Sequence, residues 1–246
     1  MRLLLDIGNT ATHAALAGRR IRTDQSLPTA DWMNGRMAAK LKRFIGRETV
    51  TEAIACSVVP AATRAARTWT RALGITLTVF NHRNCTLGID YPKPATIGPD
   101  RLANALAADA EFGAPVVVVD FGTALTFDIV NTEGRYAGGI IAPGLAAMTD
   151  YLHEKTALLP RIELRDPRKA IGKSTEEAMR IGAVHGYRGL VQSLIGKLRG
   201  ELRARRLPVV ATGGHAKLLV KGIPEISAVR PRLTLEGLRL ASVSDS

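Results

Sequence analysis

Cysteine is scarce in this chain, and its scarcity excludes two kinds of small, cross-linked architecture. Cys56 and Cys85 are the two cysteines among 246 residues, too few for a disulfide framework or a cysteine-based zinc site. Two reduced thiols are typical of a cytoplasmic protein, and the cytoplasm is the location we expect. The histidines at positions 13, 82, 153, 185 and 215 are scattered without the spacing of metal ligands.

Aromatic residues are also few, and long apolar runs are missing. Phe, Trp and Tyr make up 4% of the chain, which leaves little surface on which nucleic-acid bases could stack. No apolar run approaches the roughly 20 residues of a membrane span, and the opening MRLLLDIG is too short for a signal-peptide core. We therefore expect no membrane association and do not favour a nucleic-acid partner.

Acidic residues are outnumbered by basic ones. The chain has 34 Lys and Arg against 22 Asp and Glu, a net charge of +12. Arg64, Arg67 and Arg71 fall on one face of a predicted helix, and LRGELRARR is a second basic segment. Such a surface can bind nucleic acid, or it can be a solvated face that concentrates anionic nucleotides nearby. With few aromatic residues and no RNA-binding motif, the solvated face is the better interpretation.

Apolar runs alternate with helical periodicity along the chain, which is the pattern of an α/β fold. Strands are predicted over Leu3–Ile7 and Thr12–Ala17, near Ile21, and in AIACSVVP, ITLTVF, PVVVVDFG, ALTFDIVN, GRYAGGIIAP and PVVATGG. Helices are predicted over 30–45, from Pro60 to Leu73, over DRLANALAADAEFG, around 145–155, over 174–206 and from about His215. The segment 81–98, with its prolines and glycines, is predicted to be a loop.

Two places in this pattern match each other feature for feature. MRLLLDIGNT at the start and VVVVDFGTALT about a hundred residues later both place Asp-X-Gly and polar residues directly after an apolar strand. A second strand follows each of them. The match indicates an internal duplication on the scale of half the chain. We therefore predict two domains, 1–114 and 115–246.

The Asp-X-Gly turn brings a carboxylate and several backbone N–H groups to one point. Glycine permits a tight turn close to a ligand, and the side chains of Asn9 and Thr10 can hold phosphate oxygens. Asp6 can hold the accompanying cation directly or through water. Taken alone, the motif is equally compatible with an ordinary hairpin turn.

A second copy of the turn favours a functional role over a purely structural one. Asp120, Gly122 and Thr123 repeat the arrangement, so two hairpins could each hold part of a polyphosphate. A glycine pair at 213–214 follows a third apolar run, where bare backbone would let a flat base lie against it.

These elements, in this order, resemble the nucleotide-binding signature of the sugar-kinase, acetate-kinase and actin superfamily. More specifically, the chain resembles the type III pantothenate kinases from Leu3 to about Leu240. The motifs that carry the resemblance are DIGNT, SVVP, GPDRLANALAA, VVVDFGTALTFD, YAGGIIAPGL, KTALLP, IGKSTEEAMRIGAVHGYRGLV, VVATGGHA and LTLEGLRL. The resemblance implies two duplicated ribonuclease-H-like α/β domains with an ATP cleft between them. It also implies phosphorylation of pantothenate to 4'-phosphopantothenate, the first step of coenzyme A synthesis.

The resemblance further implies a role for each residue that matches a family motif. Asp6, Ile7, Gly8, Asn9, Thr10, Ala11, Thr12 and His13 match the first phosphate loop, and Thr123 matches a second ATP contact. Tyr91, Gly98, Pro99, Asp100, Arg101 and Thr175 match positions that bind pantothenate. Asp100 also matches the catalytic base. Asp120 matches the aspartate that binds a monovalent cation, potassium or ammonium, and magnesium is expected with ATP.

The residue pattern around Asp100 allows a second interpretation. An aspartate at the start of a helix is often a cap, whereas a kinase needs a carboxylate to accept the proton of the attacking alcohol. The family match favours the base. Two departures from the family pattern, Pro99 for the usual alanine and YPKP for the usual Tyr-Asp-Asn-Pro, affect the expected pantothenate contacts more than phosphoryl transfer.

The resemblance also implies a homodimer, and the last long helix offers a reason. An apolar stripe is predicted along that helix, at Ala178, Ile181, Val184, Tyr187, Leu190, Val191 and Leu194. The stripe can pack on its own domain or form a symmetric contact with a second copy. Two other functions stay open: a kinase of another small hydroxy acid on this fold, and a non-catalytic transcription accessory protein.

Overall fold

The computed structural model of the chain describes residues 1–241, which form two compact units. The first unit comprises Met1–Glu111 and the stretch that begins at Arg232, and the second comprises Phe112–Pro231. This division differs from the expected domains, 1–114 and 115–246, at the C-terminal end. The reason is that the last helix, α7 (Leu233–Ala241), packs on the first unit, where Gly237 approaches the backbone of Ala103.

The first unit is built on one mixed sheet. Its strands are β1 (Arg2–Ile7), β2 (Ala11–Ala17), β3 (Ile21–Pro28), β4 (Glu52–Ser57) and β5 (Thr76–Val79), in the order β3-β2-β1-β4-β5. The hairpin strands β1, β2 and β3 pair antiparallel, whereas β4 and β5 pair parallel. Its helices are α1 (Met37–Ile45), α2 (Pro60–Ala72) and α3 (Pro99–Phe112), and segment 81–98 contains a two-residue strand, β6 (Gly88–Ile89). The core joins buried leucines of β1 to the apolar sides of α1 and α2.

The second unit repeats this plan. Its strands are β7 (Val116–Phe121), β8 (Ala124–Val130), β9 (Arg135–Pro143), β10 (Val209–Thr212) and β11 (Ala228–Val229), in the order β9-β8-β7-β10-β11. Its helices are α4 (Leu145–Lys155), α5 (Thr175–Leu202) and the one-turn α6 (Ala216–Leu219). Three antiparallel strands are again followed by two parallel ones. The predicted α/β fold with duplicated halves is therefore confirmed.

The duplication places the two aspartates identically. Asp6 is the fifth residue of the six-residue central strand β1, and Asp120 is the fifth residue of the six-residue central strand β7. Leu3, Leu4 and Leu5 before Asp6, and four valines before Asp120, are buried because each strand runs through the middle of its sheet. The carboxylates therefore lie where each central strand leaves the core.

Two predicted helices have different ends in the structure. The helix expected over 30–45 begins only at Met37, because Gly35 adopts a φ of +74° that ends the preceding turn. The helix expected over 174–206 ends at Leu202, where Arg203 takes a left-handed conformation with φ of +47°. Within residues 1–241, no helix combines the length and the apolarity needed to cross a membrane.

Candidate active site

The predicted phosphate loop is a tight hairpin between β1 and β2. The N–H of Gly8 donates to the carbonyl of Ala11 at 3.0 Å, and a Cβ on Gly8 would lie 3.2 Å from that same oxygen. Asn9 and Thr10 at the tip are exposed, as is His13 on β2. Ile7 and Thr12 are buried instead, so their side chains support the hairpin from inside.

A buried chain of hydrogen bonds lies directly beneath this hairpin. The indole N–H of Trp32 donates to the hydroxyl of Thr12 at 3.1 Å, and the hydroxyls of Thr12 and Thr29 are 3.0 Å apart. The Thr29 hydroxyl donates to the carbonyl of Gly8 at 2.7 Å. Thr29 and Trp32 could not be predicted as part of the site, because they lie in a short 3₁₀ helix after β3, Thr29–Trp32, that no sequence motif marks.

Asp6 lies beside a buried thiol. The β1–β4 register places Cys56 opposite Asp6, and the Cys56 Sγ donates to Asp6 Oδ1 at 3.4 Å. Burial raises the pKa of the Cys56 thiol well above its usual value, and the charges of Asp6 and Asp100 raise it further. Cys56 thus contacts a predicted ATP residue, Asp6, and its pKa also responds to the charge of the predicted base, Asp100.

Asp100 lies in the first turn of α3. Its Oδ1 accepts a hydrogen bond from the N–H of Arg101 at 2.9 Å, and a Cβ on Gly98 would come within 2.6 Å of that oxygen. A capping residue would instead precede the helix and accept from an N–H two or three positions ahead. Pro99 is the first residue of α3, where the helix does not use an N–H, so it costs no helical hydrogen bond.

The electrostatic surroundings of Asp100 favour its neutral form. Burial raises the pKa of the carboxyl group above that of an ordinary aspartate. The Arg101 N–H and the Arg101 charge act in the opposite direction, but burial has the larger effect. A carboxylate with a raised pKa is a stronger base than one in water, as a proton acceptor in catalysis should be.

In the second unit, Asp120 faces the glycine turn after β10. The register places Thr212 opposite Asp120, and a Cβ on Gly213 would collide with Asp120 Oδ1 and with the backbone of Phe121. Gly213 has a φ of +91°, which other residues rarely adopt. The N–H of His215 donates to the carbonyl of Phe121 at 3.1 Å, so the glycine turn is held against the end of β7.

Three other predicted site residues, Thr123, Tyr91 and Thr175, are exposed. Thr123 is at the tip of the β7–β8 hairpin, and a Cβ on Gly144 would collide with the Thr123 carbonyl. Tyr91, in segment 81–98 of the first unit, is 39% exposed. Thr175 is exposed as the first residue of α5.

The start of α5 is already capped by its own side chains. The Ser174 hydroxyl accepts from the N–H of Glu177 at 3.2 Å, and the Glu177 carboxylate accepts from the N–H of Lys173 at 2.7 Å. This reciprocal arrangement is a capping-box type of helix start. Glu176 and Glu177 also place negative charge in the first turn, so this helix end is a poor site for an anion such as the pantothenate carboxylate.

A magnesium ion bound with ATP would take part of its ligands from water and from the phosphates. Within residues 1–241, no three His, Cys, Asp or Glu side chains are grouped to hold one by themselves. Magnesium in nucleotide sites is typically held by one or two carboxylates, water and the phosphates themselves. Single carboxylates such as Asp6 and Asp120 fit that arrangement.

Comparisons with known proteins agree on one family. The chain matches the type III pantothenate kinase family over residues 2–197. It is 44% identical over 242 residues to a type III pantothenate kinase from Akkermansia muciniphila, covering 98% of this chain and 97% of that relative. It is 43% identical over 240 residues to one from Methylacidiphilum infernorum, covering 97% and 86%.

A solved structure supports the fold separately. A protein from Sinorhizobium meliloti, described as a 2-dehydro-3-deoxygalactonokinase, aligns with a TM-score of 0.63 at 14% identity and covers 98% of each chain. At that identity the likeness concerns the fold alone, and it agrees with duplicated ribonuclease-H-like domains. Because the family match spans most of the sequence, and two relatives above 40% identity cover nearly all of it, the chain belongs to the type III pantothenate kinase family.

Proposed function

We propose that this chain transfers the γ-phosphoryl group of ATP to the primary hydroxyl of pantothenate. The products are ADP and 4'-phosphopantothenate, the first intermediate on the route to coenzyme A. Family membership over nearly the full chain is the observation that carries this assignment. The two aspartate hairpins and the half-buried carboxylate of Asp100 supply groups that the reaction requires.

Asp100 is the proposed catalytic base. Its carboxylate accepts the hydroxyl proton of pantothenate while the hydroxyl oxygen forms a bond to the γ-phosphorus. The bond from the γ-phosphorus to the bridging oxygen breaks at the same stage, and ADP leaves with that electron pair. The hydrogen bond from the Arg101 N–H to Oδ1 orients the carboxylate for this transfer.

The hairpin after β1 is the proposed phosphate loop of the first unit. The exposed Asn9 and Thr10, with the loop N–H groups, contact the phosphate oxygens, whereas the buried Thr12 supports the loop from beneath. In the second unit, the exposed Thr123 supplies a further ATP contact, and the glycine turn after β10 leaves room for the base.

Cations are part of the proposal. Magnesium bound with ATP neutralises charge that develops on the phosphates, and Asp6 is the residue that would hold it, directly or through water. Asp120 would hold a monovalent cation, potassium or ammonium, because a carboxylate at the end of a buried strand is costly unless its charge is compensated. A reducing, cytoplasmic location completes the proposal and fits two free thiols.

Pantothenate binding is assigned to the start of α3 and its surroundings. Arg101 carries the positive charge that would pair with the pantothenate carboxylate, and Gly98 and Pro99 shape the backbone beside it. Tyr91 and Thr175 are further proposed contacts. We favour Arg101 over the start of α5 for the carboxylate, because the Ser174 hydroxyl already accepts from the Glu177 N–H there, and Glu176 and Glu177 place negative charge in the first turn.

A homodimer is also proposed, on the exposed side of α5. The predicted apolar stripe packs largely on its own unit, since Val184, Tyr187 and Val191 are buried in the core there. The opposite side carries five glycines: Gly182, Gly186, Gly189, Gly196 and Gly200. A Cβ on any of the five would meet open space, and at 100° per residue they fall within an arc of about 80°.

This glycine face would be costly in a helix that stayed alone. Each glycine destabilises a helix interior by about 1 kcal/mol relative to alanine, so nothing within the unit accounts for five of them in open space. Close approach of a second helix does account for them, because glycine lets two backbones pack at short distance. A second copy of α5, related by a two-fold axis, is the simplest partner.

A coupled assay for ADP release tests the proposed reaction. Purified protein with ATP, magnesium and potassium should release ADP when pantothenate is present and not when it is omitted, and mass spectrometry should detect phosphopantothenate. A much faster reaction with another hydroxy acid would show that pantothenate is not the preferred substrate, and the assignment as a kinase would stay. Absence of turnover with every acceptor would overturn the assignment as a kinase.

A further inference from the structure

The hydrogen-bond chain beneath the phosphate hairpin can run in one direction only. The Trp32 indole N–H can donate but not accept, and the Gly8 carbonyl can accept but not donate. The single hydroxyl proton of Thr29 goes to Gly8, so the proton between the two threonines must come from Thr12. The chain therefore runs from Trp32 through Thr12 and Thr29 to Gly8, with distances of 3.1, 3.0 and 2.7 Å.

Thr29 holds the hairpin at two points. Its hydroxyl donates to the carbonyl of Gly8, and its backbone N–H donates to the carbonyl of Thr10 at 3.0 Å. These two carbonyls lie on either side of the exposed pair Asn9 and Thr10 at the tip of the loop. Thr29, 21 positions away from Gly8 in sequence, thus fixes the Gly8–Asn9 peptide through its hydroxyl and the Thr10–Ala11 peptide through its backbone N–H.

The orientation of the Gly8 carbonyl also determines the orientation of the Asn9 N–H, which belongs to the same peptide. In a trans peptide the C=O and the N–H of the same plane point in opposite directions. The Gly8 carbonyl is turned towards the buried Thr29, so the N–H of Asn9 is turned away from it, towards the exposed side of the loop. A loop that binds phosphate depends on backbone N–H groups held in that outward direction.

We infer that Thr29 is a positioning residue for ATP, although it lies outside the motifs of the family resemblance. The inference rests on the proposed role of the β1–β2 hairpin in binding phosphate. Thr29 touches no substrate in this account. It acts through the Gly8–Asn9 peptide, and the hydroxyl group is the part of its side chain that matters.

The test compares two buried threonines. Thr29→Val removes the hydroxyl and keeps the volume, and Thr70→Val does the same to a buried threonine of α2 whose hydroxyl donates to the Ala66 carbonyl at 2.9 Å. We expect Thr29→Val to raise KM for ATP roughly tenfold, the value of one lost hydrogen bond at a buried acceptor. KM for pantothenate should stay within about twofold in both variants, and Thr70→Val should leave KM for ATP unchanged. Thr29→Ser, which keeps the hydroxyl, should restore KM for ATP.

The outcomes distinguish a failure of the role inferred for Thr29 from a failure of the proposed phosphate loop itself. If Thr29→Val and Thr70→Val lower the melting temperature alike and neither changes KM for ATP, Thr29 is merely structural and the inference is overturned. The double variant Asn9→Ala/Thr10→Gly changes the loop itself. If it also leaves KM for ATP unchanged, the phosphate loop lies elsewhere and the proposed site fails as well. Should Thr29→Val not fold, Thr29→Ala removes the same hydroxyl without placing a methyl group against the Gly8 carbonyl, and the same expectations apply to it.

Discussion

The thiol of Cys56 donates a hydrogen bond to the carboxylate of Asp6 across two neighbouring parallel strands, with Sγ and Oδ1 3.4 Å apart. Burial and the nearby charges of Asp6 and Asp100 raise the thiol's pKa well above its usual value. The thiol therefore stays protonated at neutral pH and remains a donor. One of the two cysteines in the chain thus orients a carboxylate of the proposed ATP site.

Removing this donor should weaken nucleotide binding. We expect Cys56→Ala to raise KM for magnesium–ATP about three- to tenfold, because Asp6 loses the group that orients it. Cys56→Ser keeps a donor and should stay within about twofold of the original protein. Cys85→Ala, at the other cysteine, is the control and should change neither the KM for magnesium–ATP nor the KM for pantothenate. Equal effects of Cys56→Ala and Cys56→Ser on KM would show that the hydrogen bond is unimportant and that packing alone matters.

Replacing Asp100 by asparagine should stop turnover without unfolding the protein. The carboxamide keeps the size of the side chain but cannot accept a proton at neutral pH. General-base catalysis contributes about 10²–10⁴ in rate, so kcat should fall by that order while circular dichroism stays the same. Near-normal turnover of Asp100→Asn would instead assign this residue a role at the helix start only.

The pH dependence of stability tests the raised pKa of Asp100. Its pKa is raised in the folded protein, so the folded state binds more protons than the unfolded state between the ordinary aspartate pKa and the raised one. Stability from this group is therefore present at low pH and is lost as pH rises through that window. At neutral pH we expect Asp100→Asn to melt at the same temperature as the original protein or higher. A clear drop in melting temperature would contradict this sign.

The glycine pair after β10 offers a matched comparison. Gly213→Ala should lower the free energy of unfolding by about 1–3 kcal/mol from backbone strain alone, because its φ is +91° and the new methyl group would collide with Phe121. Gly214→Ala should change stability by less than about 0.5 kcal/mol, since a Cβ there meets open space. Urea unfolding of both variants measures the difference, and equal stabilities would contradict the geometry seen here.

Activity should depend on a monovalent cation through Asp120. Rates in potassium should exceed rates in a bulky organic cation at the same ionic strength, because the small ion can approach the carboxylate at the end of β7. Asp120→Asn should reduce the difference between the two salts. Equal rates of the unmodified protein in both would count against a cation at this position.

A shared pocket in the proposed dimer can be tested by mixing two inactive variants. If Thr175 serves the partner's site, Asp100→Asn and Thr175→Ala protomers should complement each other. Unfolded together in equal amounts and refolded, they should rebuild about a quarter of the intact sites, since each site draws one residue from each chain. Mixtures no more active than the separate variants would rule out the shared pocket, provided gel filtration shows that dimers have reformed.

The local features of this protein could be predicted from the residue pattern. The strands that carry Asp6 and Asp120, the tight turns after them and the helix predicted over DRLANALAADAEFG each depend on residues close in sequence. Apolar runs, glycines and helical periodicity specify such elements through local sterics and burial. The duplicated α/β fold and the position of both aspartates followed from these signals.

Only the tertiary structure decided which distant residues support those elements. Cys56 lies 50 positions from Asp6 and reaches it because β4 pairs with β1 in register, and Thr29 reaches Gly8 because β3 returns alongside β2. The partner of the apolar stripe on α5 was equally undecided, since the stripe could pack on its own domain or on a second copy; in the structure Tyr187 packs into the core of its own unit and the glycines face open space. Strand register and the choice of a buried face arise from packing over the whole chain, so no local stretch of sequence determines them.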